Sequence, residues 1–166
     1  RDSPATWLGN DIVAVFLDGK TFGDDELVIA LGITLEGEKL VLGFFQTGTE
    51  NALACTEFLQ GLVTRGLKAA EVLWVIDGAK GFRAAIKQVV GGTEVVQRCQ
   101  WHKRENVVSY LPKTQQATWR KRLQNAYAAS TEAEARTALA ALGRELARVN
   151  RSAAASLQQG LDETHT

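Results

Sequence analysis

The chain has 166 residues, 45% of them hydrophobic, and its 19 Lys and Arg are balanced by 19 Asp and Glu. That suits one domain, or one domain with an appendage, and excludes a uniformly basic nucleic-acid binder. No apolar run approaches the roughly 20 residues of a membrane span, the opening RDSPATW lacks the form of a signal peptide, and Cys55 and Cys99 are too few for a disulfide framework, so a cytoplasmic protein with free thiols is expected.

In chain order, DIVAVFLD at residues 11–18 is a continuous β-branched and apolar run, which predicts a strand buried on both faces and ending at Asp18. Gly19-Lys20-Thr21 resembles the end of a phosphate-binding loop. Such a loop needs a glycine five positions earlier, where Ala14 stands inside the strand. Asp18 is therefore the residue of interest. Asp24, Asp25 and Glu26 follow in a glycine-containing turn, where charge is ordinary. Residues 25–48 predict two strands joined at Glu36-Gly37-Glu38.

From Thr49 the apolar positions 52, 53, 55, 58, 59, 62 and 63 follow the helical period, with Thr49 as N-cap and Gly66 near the stop. EVLWVIDG returns to strand, AKGFRAAIKQVVGG to helix and TEVVQRC to a short strand. The order β-β-β-α-β-α-β predicts an α/β fold with a mixed sheet and helices packed on it. Residues 102–163 read as helical almost throughout, broken near Pro112, Ser130 and Asn150. This half is either a separate layer or an insertion. The chain contains no methionine and begins with arginine, so a piece of something longer is expected.

The neutral total hides an asymmetry. Residues 1–97 carry 8 basic against 13 acidic side chains, and residues 98–166 carry 11 against 6. Within 98–122, Arg98, Lys103, Arg104, Lys113, Arg120, Lys121 and Arg122 face only Glu105, a footprint suited to a phosphate backbone or to a solvated helical face. Trp101 either stacks on a base or fills the core.

Asp18 and Asp77 each end an apolar strand and precede a glycine. If those strands are parallel neighbours, both carboxylates emerge at one sheet edge, where they could share Mg²⁺ or Mn²⁺ ions for phosphoryl displacement. Each alone would read as a capping acid. Cys99 and His102 have zinc-ligand spacing, but only Cys55 and His165 remain to complete four ligands, so an internal tie holding the following helix is the better reading.

LDGKTF, TGTEN, VIDGAKGF and RCQWHKRENVVSYLP, in this order and spacing, resemble the catalytic region of bacterial insertion-sequence transposases of the Mutator-like type. The resemblance extends through SLQQGLDET, nearly the whole chain. It implies an RNase H-like fold, here residues 1–100 without the final catalytic helix, followed by an all-helical insertion region at residues 101–166. It also implies a metal-dependent triad of acids that cuts element ends and joins them to target DNA. Asp18 and Asp77 match the first two acids, with two Mg²⁺ or Mn²⁺ ions as cofactors, and Cys99 with His102 match a structural signature. Trp101, Lys103, Arg104, Lys113, Arg120, Lys121 and Arg122 become the DNA-binding candidates. A homo-oligomeric, nucleoid-associated parent with DNA as its partner is implied. The third acid is a glutamate that the resemblance places beyond this chain, Glu163 being the nearest late acid. The alternative is a non-catalytic DNA-binding or assembly module of the same fold.

Overall fold

The computed structural model describes residues 11–48 and 52–161 and divides after Gln97 into two units, each with its own core. The predicted N-cap Thr49 lies outside the described residues, as do Glu163 and His165.

In the first unit, strands β1 (Ile12–Phe22), β2 (Asp25–Thr34) and β3 (Lys39–Thr47) precede helix α1 (Ala52–Thr64), β4 (Leu73–Ile76), α2 (Lys80–Val90) and β5 (Val95–Arg98). The sheet order is β3-β2-β1-β4-β5. β1 pairs antiparallel with β2 and parallel with β4, so the sheet is mixed. Antiparallel neighbours need only a tight turn. The β1–β2 link is the pair Gly23-Asp24, with Gly23 at φ 61 and no other residue type at positive φ among the described residues, as a type II′ hairpin requires. β2 and β3 meet around Gly37 at φ 87, where Thr34 both accepts the Gly37 N–H and receives the Glu38 amide on its hydroxyl.

Two expectations for β1 need correction. It does not end at Asp18 but continues to Phe22, because the hairpin with β2 satisfies its backbone for four more residues. Nor is it buried on both faces. Val15, Leu17, Val28, Ala30 and Leu42 fill one side together with Leu59 and Leu62 of α1, Phe82, Ala85 and Ile86 of α2, and Trp74 and Ile76 of β4. On the other side Ala14, Phe16 and Asp18 of β1 are only half-buried, and Val41 and Phe44 of β3 remain 62% and 69% exposed. A bulge between Ala30 and Leu31 of β2, with Leu42 the extra residue of β3, lets Leu42 and Phe45 both reach the core; Phe45 meets Phe58 of α1 at 4.8 Å.

α1 stops in a Schellman turn, as its glycine foretold. Gly66 sits at φ 108, its N–H donates to Val63, and the Leu67 N–H donates to Leu62. Buried Trp74 directs its indole N–H to the Ala69 carbonyl at 3.0 Å, so the ring enters the core without an unpaired donor.

The second unit holds α3 (Gln100–Ser109), α4 (Lys113–Tyr127), α5 (Glu132–Val149) and α6 (Arg151–Gln158). The breaks fall where they were predicted. Pro112 precedes α4 and lacks an N–H to donate. Thr131 caps α5 by accepting the Glu134 N–H, and Asn150 caps α6 by accepting the Ala153 N–H. The helices pack in a ring, α3 on α4, α4 on α5, α5 on α6 and α6 on α3. Ala135, Leu139, Leu142 and Leu146, spaced at one helical face, give α5 its buried stripe, and the three leucines meet Val107, Trp119, Leu123 and Leu157. Among the described residues no helix is long and apolar enough to cross a membrane.

Candidate active site

β1 and β4 run side by side and parallel, with Phe16 beside Val75 and Leu17 beside Ile76. The next residue on each strand is an aspartate. Asp18 and Asp77 thus stand one step beyond the last pair of the β1–β4 ladder, at equivalent positions. Side chains alternate along strands. Since Leu17 and Ile76 face the helix-covered core, both aspartates fall on the opposite face, with Phe16 and Val75. Both are half-buried.

The local chain is shaped around the two acids. After Asp77, Gly78 takes φ 101, a conformation that side-chain-bearing residues rarely adopt, and the Ala79 N–H donates to Asp77 Oδ1 at 2.9 Å. That bond turns the chain into α2. After Asp18, Gly19 lies under the Glu26 carboxylate, and an ideal Cβ there would touch the Phe82 ring at 3.6 Å and push the Glu26 carboxylate aside. Glu26 therefore occupies the α2 side of the sheet, away from Asp18. Asp25 is engaged by the Gln46 amide at 2.7 Å. Neither acid joins the pair.

Two carboxylates are hard oxygen donors, the set that Mg²⁺ or Mn²⁺ takes when most of its shell is left to water and phosphate. In donor chemistry alone, the two aspartates suit such an ion. Among the described residues no group of three or more His, Cys, Asp and Glu is arranged to hold a metal.

The basic segment differs from its reading as an open phosphate footprint. Lys103 is buried, 1% exposed, with its aliphatic chain against Gly160, so it is removed from the DNA-contact set. Burial follows from its position on the α3 stripe with Val107. Arg104 and Arg120 both bond Glu105, Arg120 through two nitrogens at 2.9 to 3.1 Å, which clamps α3 to α4. The Arg120 guanidinium holds the Glu105 carboxyl below its ordinary range, burial pushes the other way by less, Arg104 adds to the lowering, and Glu105 in turn raises Arg120. Arg122 bonds Glu145 at 2.7 Å and lies 4.4 Å over the Trp119 ring. Lys113 and Lys121 are exposed.

Cys99 occupies the N-cap position of α3 with extended backbone and no side-chain cap bond, and His102 lies in the first turn. Trp101 is 56% exposed and so does not fill a core; its ring meets His102 edge-on at 4.9 Å. Tyr127 and Gln124 of α4, which sequence reasoning did not single out, line a cleft with Trp101. No local signal marks them, since their relevance depends on how α4 lies on α3.

A profile of the transposases of the Mutator family matches residues 9–166. The transposase for insertion sequence element IST2 of Acidithiobacillus ferrooxidans is 35% identical over 113 residues, covering 68% of this chain and 38% of that protein. The transposase for IS6120 of Mycolicibacterium smegmatis is 35% identical over 120 residues, 69% of this chain and 35% of that protein. The transposase for IS256 in Tn4001 of Staphylococcus aureus is 33% identical over 92 residues, 55% of this chain and 23% of its own length. The matches thus span between about a quarter and two fifths of these relatives. A match over nearly the whole chain, with Asp18 and Asp77 inside it, means that the chain belongs to the Mutator family of transposases.

Proposed function

We propose that the chain is part of the catalytic region of a DDE transposase with an RNase H-like fold, whose intact form cuts DNA at element ends and joins them to target DNA. The observation that carries this reading is the pairing of Leu17 with Ile76, which leaves Asp18 and Asp77 adjacent on one sheet face. Family membership and the order β3-β2-β1-β4-β5 support it.

Asp18 and Asp77 hold the divalent ions, and the Ala79 N–H holds one Asp77 oxygen at 2.9 Å, which steadies the carboxylate. When bound, a pair of such ions supplies Lewis-acid stabilisation of the phosphoryl group and lowers the cost of generating the nucleophile. The third acidic ligand, a glutamate in the family resemblance, belongs to a segment outside this chain. The helical unit holds the DNA backbone through its exposed Lys113 and Lys121, with Arg104 and Arg120 set by Glu105, and the exposed Trp101 ring offers a stacking face for an unpaired base. The intact protein acts on chromosomal DNA as a homo-oligomer.

The test is calorimetric titration of the chain with Mn²⁺, repeated on Asp18→Asn and Asp77→Asn. Binding weakened by both substitutions is expected. Binding indifferent to both removes the two acids from the metal role. In a full-length transposase carrying this region, Asp18→Asn abolishes strand cleavage; retained cleavage refutes the assignment.

A further inference from the structure

The helical unit carries a cleft that the aspartate pair does not use. It lies between the start of α3 and the end of α4, has a volume of about 250 Å³, and is lined by Gln100, Trp101, Arg104, Gln124, Tyr127 and Ala128. Pockets for whole small ligands run from about 300 to 1,000 Å³. This cleft is smaller, and suits one flat ring system rather than a complete cofactor.

Its lining narrows the chemistry further. Trp101 and Tyr127 offer aromatic surface, and Trp101 stays more than half exposed while a perpendicular contact with His102, at 88°, steadies its ring. The Arg104 side chain is 14% exposed, and its Nε is tied to Glu105 at 3.2 Å, so a planar cation is built into the wall rather than waving in solvent. Gln100 and Gln124 each carry an amide with both donor and acceptor, the pair of functions that a base edge presents. Ala128 keeps the end of α4 narrow. The unit that holds the cleft, residues 98–166, carries 11 basic against 6 acidic side chains in sequence, and Arg104 is in the cleft wall itself, which favours a ligand flanked by phosphates. An aromatic side chain from a protein partner would need neither the amides nor the positive field.

We infer that this cleft receives one unstacked base of a single-stranded or locally opened DNA, with the base against Trp101 and Tyr127 and its edge toward the glutamines. The inference rests on the transposase reading above and adds to it a place where the helical unit distinguishes an opened strand from a closed duplex. In a duplex the base faces are stacked and cannot enter.

The test compares binding of a fluorescent single-stranded oligodeoxynucleotide of about 12 nucleotides with binding of the duplex of the same sequence. The proteins are the 166-residue chain, Trp101→Ala and Trp101→Phe. Loss of one stacked base predicts single-strand binding weakened by about 5- to 150-fold in Trp101→Ala, with most of it retained in Trp101→Phe and duplex binding unchanged. Trp101 lies outside the core of the helical unit, and the phenylalanine variant keeps a ring whatever the effect of alanine on folding. Single-strand affinity equal in wild type and Trp101→Ala overturns the inference and leaves the transposase reading standing. Equal loss on both DNA forms also overturns it, since a duplex offers no free base. A wild-type chain that binds neither form overturns the DNA-holding role of the helical unit and this inference with it, while the Mn²⁺ titration judges the aspartates separately.

Discussion

Asp77 combines a charge with a hydrogen bond, and two substitutions separate them. Asp77→Asn keeps an oxygen for the Ala79 N–H, now 2.9 Å from Oδ1, and removes the charge; Asp77→Ala removes both. Adjacent strands lie about 4.8 Å apart, and two like charges at about 5 Å repel by about 0.8 kcal/mol in water and about 3 kcal/mol at an effective dielectric of 20. Both acids are half-exposed, which favours the lower end, about 1 kcal/mol. Relief of that repulsion stabilises either variant when no metal is present. The lost hydrogen bond costs about 1 kcal/mol and only in alanine. In EDTA, scanning calorimetry should therefore place Asp77→Asn above wild type by about 4–8 °C, the shift per kcal/mol for a unit of this size, and Asp77→Ala near wild type. Saturating Mn²⁺ at 100 times Kd adds about 2.7 kcal/mol to wild type and reverses the order. If the asparagine and alanine variants melt together, the bond to Ala79 contributes nothing. If Asp77→Asn melts at or below wild type in EDTA, the two carboxylates do not face one another across the β1–β4 register.

Other outcomes follow from the helical unit. Because Arg120 and Arg104 lower the Glu105 pKa from an ordinary 4.5, the advantage of wild type over Glu105→Gln should be full above that value and decline as pH falls through the lowered one; melting curves across acid pH measure it, and a pH-independent difference refutes the clamp. Asn150 caps α6 through its oxygen and donates its amide to the Tyr110 carbonyl at 3.0 Å, so Asn150→Ala should cost about 1–3 kcal/mol in urea unfolding and Asn150→Asp, which keeps the cap, less. A Cβ at Gly160 would stand 2.7 Å from Lys103 Cε, and Lys103 is only 1% exposed; Gly160→Ala should lower stability by about 1–3 kcal/mol, whereas an unchanged midpoint would mean that the lysine chain moves freely.

The element order, the turn at Gly37, the stop at Gly66 and the helix breaks at Pro112 and Asn150 were all legible in the sequence. Each depends on contacts within a few residues, namely side-chain periodicity, positive φ at glycine, a missing proline N–H and a capping oxygen. Asp18 and Asp77 stood out for the same reason, as acids after apolar runs. Their adjacency was a conditional statement until β1 paired with β4, because two strands separated by some 50 residues of chain carry no local mark of being neighbours. The length of β1 was misjudged because its final residues are held by β2 rather than by their own hydrophobicity. Charge was the least legible property. Lys103 and Arg104 look alike in a list of basic residues, yet helix packing buries one, and Glu105, 15 positions from Arg120, ties that arginine as well as Arg104 once α3 lies on α4. Burial and ion pairing depend on which faces meet, and tertiary packing alone decides that.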